Sequence, residues 1–287
     1  MGEQQIGDGG GREFQRIAAI LRARITEGAY PVGGFLPSQR ELADEFTVSR
    51  DTVQRVLREL VSEGWIQSRQ GSGSRVVLKT QRISSGDPQR KGRALSLGPL
   101  LAEAFQEPEV TLDVFTLTSE TLSGHMLSQV ERIYTGQISP RRIAVRILLP
   151  GGELPYPHVI DVPEDRRLQE RMQGITRQHL AILTRAFRGL QTQSAVEDIS
   201  LEVRHVPLTP TFKLYLLNHR TALFGPYEVV QRPIVLDTGE EVAALDVLGL
   251  GATLTHQVED SDPDSAASVF VESMRTWFES VWRTLAK

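Results

Sequence analysis

Arg50, Thr52 and Gln54 sit among Val53, Val56, Leu57 and Leu60, and the four apolar residues are spaced by one, three and four. That spacing predicts a helix pinned to a core by one stripe, with its polar side chains exposed at the N-terminal end. An arginine held there can offer two parallel donors to the O6 and N7 of a guanine in the major groove of a duplex. Arg55 and Arg58 follow at positions better suited to phosphates, although Arg58, like Arg22, taken alone reads more readily as a solvated surface residue. Ser38 and Arg40 open a preceding short helix, where free backbone N–H groups and the helix dipole favour a phosphate. Downstream, Gly71, Ser72 and Gly73 form a tip that permits close backbone approach, flanked by Arg69 and Arg75 for minor-groove or phosphate contact.

These side chains need a scaffold, and the flanking sequence supplies one. Phe14, Ile17, Ala18, Leu21 and Ile25 recur at helical spacing, and Gly28 follows as a stop signal. After the loop AYPVGGFLP, Ser38 and Glu41 stand three apart as a capping box requires, ahead of Leu42, Ala43 and Phe46. The turn Thr47-Val48-Ser49 leads to the third helix, with Ser49 as its N-cap and Gly64 near its end. WIQSRQGSGSRVVL then reads as two short strands about a Gly-Ser-Gly tip. The order is helix, helix, turn, helix, wing, over residues 12–80.

The string LPSQRELADEFTVSRDTVQRVLRELVSEGWIQSRQGSGSRVV closely resembles the N-terminal domain of the GntR family of bacterial regulators. The matching pattern is Leu-Pro-Ser-x-Arg-x-Leu-Ala, then Val-Ser-Arg-x-Thr-Val, then Leu-x-x-x-Gly, then a Gly-x-Gly wing. The resemblance implies DNA contacts at Arg40, at Ser49, Arg50 and Thr52, and at Gly71 to Gly73. Asp51 departs from the family's usual small hydroxyl or basic residue, Gln54 replaces a common arginine, and Thr47 replaces the frequent glycine of the turn. The first two departures imply an altered operator preference.

Composition is consistent with this division. The chain has 287 residues, 40% hydrophobic and 24% charged, enough for two modest domains. Its net charge of −4 is unevenly spread: residues 1–93 carry 15 Lys+Arg against 11 Asp+Glu, the remainder 17 against 25. A basic module joined to an acidic one fits a part that meets phosphate and a part that does not. The absence of cysteine rules out disulfides, thiolate metal sites and a cysteine nucleophile, and no apolar run or leader indicates a membrane span or secretion. The expectation is a cytoplasmic protein with no metal and no cofactor. Residues 1–11 are expected to be a disordered tail, 81–98 a linker, and 99–287 a second domain. The predicted fold class is multidomain: an N-terminal winged helix-turn-helix plus a C-terminal mixed α/β domain.

For the C-terminal domain, strands are expected at 112–117 and 142–149 about a helix near 119–135, a parallel βαβ unit. A long amphipathic helix over 164–190 follows. Further strands are expected at 200–206, 212–218, 227–236 and 241–248, with Asp237-Thr238-Gly239 as a hairpin turn, before a terminal helix carrying Phe270, Met274, Trp277, Phe278, Val281 and Leu285. A chorismate-lyase-like sensor has a suitable size and content, but its acidic-aromatic start and paired arginines are not found. The element order is also similar to one half of a phospholipase D-like domain, with TFKLYLLNHRTALFGPYEV where that family places its catalytic strand. None of the six histidines has a lysine two positions on, so this resemblance implies a binding domain without catalysis. Lys213, His219, Arg220 and Tyr227 are candidate effector-pocket residues, or simply the solvent face of alternating strands. Trp277, Phe278 and Trp282 read as core or dimer interface, and His179 as a structural histidine.

The reading is a non-enzymatic DNA-binding regulator, a homodimer on a near-palindromic operator, modulated by a small-molecule effector. Two alternatives are a C-terminal domain that only dimerises or docks a protein partner, and an enzyme with a DNA-binding appendage.

Overall fold

The structure is a computed structural model that describes residues 7–26, 29–30, 34–62, 65–69, 73–76, 83–85, 97–162, 164–236, 238, 240–248 and 254–287. In chain order its elements are α1 (Gly7–Thr26), α2 (Gln39–Phe46), α3 (Arg50–Ser62), β1 (Ile66–Arg69), β2 (Gly73–Val76), β3 (Ile83–Ser85), α4 (Leu97–Ala104), β4 (Glu109–Phe115), α5 (Glu120–Tyr134), β5 (Arg142–Pro150), β6 (His158–Val159), α6 (Arg167–Thr192), β7 (Asp198–Val206), β8 (Phe212–Leu217), β9 (Thr221–Pro226), β10 (Glu228–Val235), β11 (Glu241–Leu248), β12 (Leu254–Val258) and α7 (Ala266–Thr284). They fall into two compact units.

The first unit comprises Met1–Thr80, Pro157–Leu168 and Val229–Gly251. Its helices α1, α2 and α3 close on a core of Phe14, Ile17, Leu21, Leu42, Phe46, Val53, Val56 and Leu60, which Trp65, Ile66 and Val76 of the wing complete. Strands β1 and β2 pair antiparallel, Ile66 opposite Val76 and Arg69 opposite Gly73. A second sheet, β10-β11-β6, has its own apolar cluster of Val159, Leu168, Ile234, Leu236, Val242 and Ala244.

The second unit is a seven-stranded mixed sheet in the order β3-β12-β9-β8-β4-β5-β7, with β4, β5 and β7 mutually parallel. Parallel strands need crossover connections, and α5 and α6 provide them. Alternation along each strand sends its side chains to both faces. Val110, Leu112, Ile143, Val145, Ile147, Tyr215 and Leu217 face the core that also holds residues of α4, α5 and α6. Phe115, Leu148, Leu214 and Leu216 face Val271, Phe278 and Trp282 of α7. On the α7 face one cation ties the layers together: Arg146 donates to both carboxylate oxygens of Asp113 at 2.6 and 2.7 Å and lies 2.7 Å from Glu279. Its guanidinium sits over the rings of Phe278 and Trp282.

Several boundaries differ from the sequence expectation. Residues 7–11, expected as tail, are the start of α1; each glycine costs about 1 kcal/mol relative to alanine in a helix, so local propensity reads against a turn that continues a packed helix. The expected linker 81–98 contains β3, which pairs parallel with β12, and the first residues of α4; that three-residue strand is set by its distant partner, not by local composition. The expected domain 99–287 is not one unit, because 157–168 and 229–251 cluster with the first. The expected strand 227–236 begins at Glu228 as β10, preceded by the separate β9. The β8–β9 hairpin turns on Asn218 and His219, both left-handed at φ 50° and 56°. Thr238 lies between β10 and β11, while Asp237 and Gly239 lie outside the described residues.

Candidate nucleic-acid interface

The polar end of α3 is built by its caps. Ser49 accepts from the backbone N–H of Thr52 at 3.1 Å and bonds its hydroxyl at 3.0 Å, which starts the helix. Ser38 caps α2 in the same way: its oxygen accepts from the Glu41 backbone, while Glu41 accepts from the Ser38 N–H at 2.7 Å. That hydrogen-bonded network at Ser38 holds the Glu41 carboxyl below its ordinary range. Between the helices Thr47 takes the left-handed conformation at φ 57°, and Val48 N–H reaches back to the Ala43 carbonyl. A non-glycine residue there stores strain of about 1–2 kcal/mol, which the two packed helices must offset.

With the apolar stripe buried, Ser38, Arg40, Ser49, Arg50, Gln54 and Arg58 are exposed and Thr52 is half-buried. The hydroxyls of Ser49 and Thr52 already serve the cap, so Arg50 and Gln54 are the long side chains left to reach outward from the first turns of α3. Arg40 is 4.0 Å from Asp44, with both side chains about three-quarters exposed, a pairing too weak to restrain it. Arg55 is different: its side chain is 15% exposed, lies over the ring of Phe14 and is 3.9 Å from Asp51. It therefore seals α3 against α1. Asp51, in the first turn, has Arg55 as its neighbour and complements the helix dipole.

The wing is tied back to the loop before α2. Phe35 bridges Arg75, Leu36 N–H donates to the Ser74 carbonyl at 2.8 Å, and Val76 N–H to that of Gly34. Gly73 has φ 78°, a backbone that glycine adopts freely, and Phe35 lies beside it, 60% exposed. Ser68 and Ser74 bond across the hairpin at 2.8 Å. Gly71 and Ser72 lie outside the described residues, as does the Arg69 side chain. Sequence reading missed the ties that hold α2 in place: Arg24 pairs with Glu45 and lies over Phe46, and Arg16 donates to the Phe46 carbonyl. Arginines spaced eight apart on one helix face were the available signal. A cavity of about 370 Å³ opens beside α3, lined by Gln39, Gln54, Arg58, Ser68, Pro233 and Glu241.

In the second unit the four candidate effector residues do not converge. Lys213 is 2% exposed and its ammonium lies 5.5 Å from the centre of the Tyr227 ring; burial pulls it down to about 7. The Tyr227 hydroxyl donates to or accepts from Thr116 at 3.1 Å and accepts from the Leu117 N–H at 2.9 Å, beyond the C-terminal end of β4. Burial raises that phenol to about 12. His219 and Arg220 are exposed at the opposite end of β8, where Arg220 and Asn218 line a cavity of about 560 Å³ with Glu103, Glu107, Glu109 and His256. His179, expected as structural, bonds Ser123 at 2.6 Å. Among the described residues no group of acidic and histidine side chains could hold a metal, and no helix is long and apolar enough to cross a membrane.

Comparison with known proteins bears on the first unit. Residues 14–76 match the family of bacterial regulatory proteins, gntR family. The Exu regulon transcriptional regulator of Escherichia coli (strain K12) is 44% identical over 111 residues, 38% of this chain and 43% of that protein. The probable transcriptional regulator PhnF of the same strain is 39% identical over 66 residues, 23% of this chain and 27% of its own. The arabinose metabolism transcriptional repressor of Halalkalibacterium halodurans is 40% identical over 84 residues, 29% and 22% respectively. In each case the match spans less than half the length of the relative. The region from Phe14 to Val76 is accordingly a winged helix-turn-helix of the gntR type.

Proposed function

We propose that this chain is a sequence-specific transcriptional regulator of the GntR type. It binds a near-palindromic operator as a homodimer with one α3 per half-site. The observation that carries the reading is the division of α3: Val53, Val56, Leu57 and Leu60 are buried, while Arg50, Gln54 and Arg58 are exposed. Arg50 reads a base edge, and Arg40, Arg58 and the wing around Gly71 to Gly73 meet the backbone. The second unit is a non-enzymatic, effector-binding domain in the cytoplasm. Its order of β4, α5, β5, α6 and a run of strands closing on α7 supports the phospholipase D-like resemblance. The buried Lys213, whose ammonium lies beside the half-buried Tyr227 ring, supports a small-molecule site at that end of the sheet.

The test is binding of the full chain to DNA from its own upstream region against random DNA of equal length, at two salt concentrations. Saturable preference for the native fragment that survives the higher salt is the expected result. Equal, weak binding that vanishes with salt would leave only counterion release and overturn the reading.

A further inference from the structure

The sheet β10-β11-β6 belongs to the same compact unit as the winged helix. Alternation along its strands separates two faces. Ile234, Leu236, Val242 and Ala244 share one face and form an apolar cluster with Val159 and Leu168. Pro233 and Glu241 lie at the opposite parity and are exposed. Both line the cavity of about 370 Å³ whose other walls include Gln39 of α2, Gln54, Arg58 and Val61 of α3, and Ser68 of β1. The hairpin of β10 and β11 is well built in itself: Arg232 lies 2.6 Å from Asp246, with side chains 14% and 10% exposed, and Arg167 lies 2.6 Å from Glu240. Its apolar cluster shares no residue with the core of the winged helix. The hairpin therefore meets α3 across a cavity, and the two can part without opening either core.

The walls of this cavity are the surface that a duplex has to reach. Gln54 and Arg58 are outward-facing side chains of α3, and Gln39 opens α2 between Ser38 and Arg40. A major groove is about 12 Å wide and about 8.5 Å deep, and the phosphates run along its rims. Seating α3 in such a groove brings those rims against the flanks of α3, α2 and the wing, where Pro233 and Glu241 stand; a cavity of 370 Å³ cannot hold them. Charge acts in the same direction. Without DNA the Glu241 carboxylate shares a cavity with the Arg58 guanidinium, an attractive combination, and with DNA it would face phosphates of its own sign. Strand β10 also starts at the residue after Tyr227, whose hydroxyl bonds Thr116 and the Leu117 N–H. One peptide bond thus joins the hairpin to the end of the large sheet where the effector site is proposed.

We infer that the β10–β11 hairpin is an autoinhibitory strap over α3, which has to swing away before α3 enters a major groove. This deepens the DNA-binding reading above and rests on it. Because the chain has no cysteine, Val61→Cys combined with Pro233→Cys introduces two unique thiols, both at exposed residues. In the full-length double variant a short bismaleimide is expected to join the two positions within one chain, read at the chain mass on a denaturing gel. The joined protein is expected to bind its upstream DNA about tenfold or more weakly than the same variant capped with N-ethylmaleimide, because apparent affinity falls with the fraction of open molecules. That DNA is in turn expected to slow the joining more than random DNA of equal length does, since linked equilibria are reciprocal. Equal affinity of joined and capped protein would overturn the inference and leave the DNA-binding reading in place, as would failure to join within the chain. A loss of the same size in either single variant given the reagent would assign the effect to bulk at that position and likewise overturn it. If neither preparation nor untreated wild type prefers the upstream DNA, the DNA-binding reading falls and the strap falls with it.

Discussion

Lys213 gives a prediction whose size follows from its surroundings. The ammonium is 2% exposed and burial brings it to about 7 from an ordinary 10.5. The unfolded chain therefore binds a proton that the folded chain releases between those two values. Folding is penalised at and below the lower value, and the penalty disappears as pH rises toward the ordinary lysine range. Each tenfold change in proton affinity is worth about 1.36 kcal/mol, so the penalty is about 4 kcal/mol at pH 7 and about 1 kcal/mol at pH 10. Lys213→Met keeps most of the volume and removes the titration. Relative to the parent chain it should be more stable by a margin that shrinks by about 3 kcal/mol from pH 7 to pH 10. The measurement is urea unfolding at several pH values in a Trp65→Phe background, where fluorescence reports Trp277 and Trp282 of the second unit alone. A stability gap that stays constant across this range would refute the argument, showing that Lys213 keeps its charge through folding.

Other perturbations test separate links. Arg50→Ala should cost about 1–3 kcal/mol of operator affinity and relax preference at one base position, and equal loss on random DNA in a competition assay would remove it from base reading. Arg146→Ala strands the Asp113 carboxylate, 6% exposed, beneath α7; thermal or denaturant unfolding should register a loss of about 3–5 kcal/mol, and a change below 1 kcal/mol would show that water replaces the guanidinium. Ser38→Ala removes the capping box of α2 and should destabilise the first unit by about 1 kcal/mol, read in an isolated unfolding transition of Trp65.

The winged helix was legible because its determinants are local: capping hydroxyls at Ser38 and Ser49, stripes at three-four spacing, and a glycine tip. Arg55 shows where locality fails, since only the packing of α1 against α3 reveals that this cation covers Phe14. In the second unit the parallel strands and crossover helices were readable from long apolar runs. Strand β9 was not, because the signal is a pair of left-handed turn residues, Asn218 and His219, with no glycine between the two apolar runs to mark the turn. Strand β12 lacks clear apolar alternation, and its place is decided by its partners β3 and β9. The candidate effector residues shared one short segment, but six strand residues put Lys213 and Arg220 at opposite ends of β8.

The pairing of β3 with β12 has a consequence for biosynthesis. Ile83 meets Leu254 across most of the chain, so one flank of the large sheet closes only when the last strand exists. Contacts between such distant residues carry a high loop-closure cost and form late. On the ribosome the winged helix, complete by Val76, can fold early, while β4, β5, α5 and α6 wait with apolar surface exposed until β8, β9 and α7 emerge. Slowing translation over residues 110–250 would therefore lengthen the window in which the nascent chain needs a chaperone.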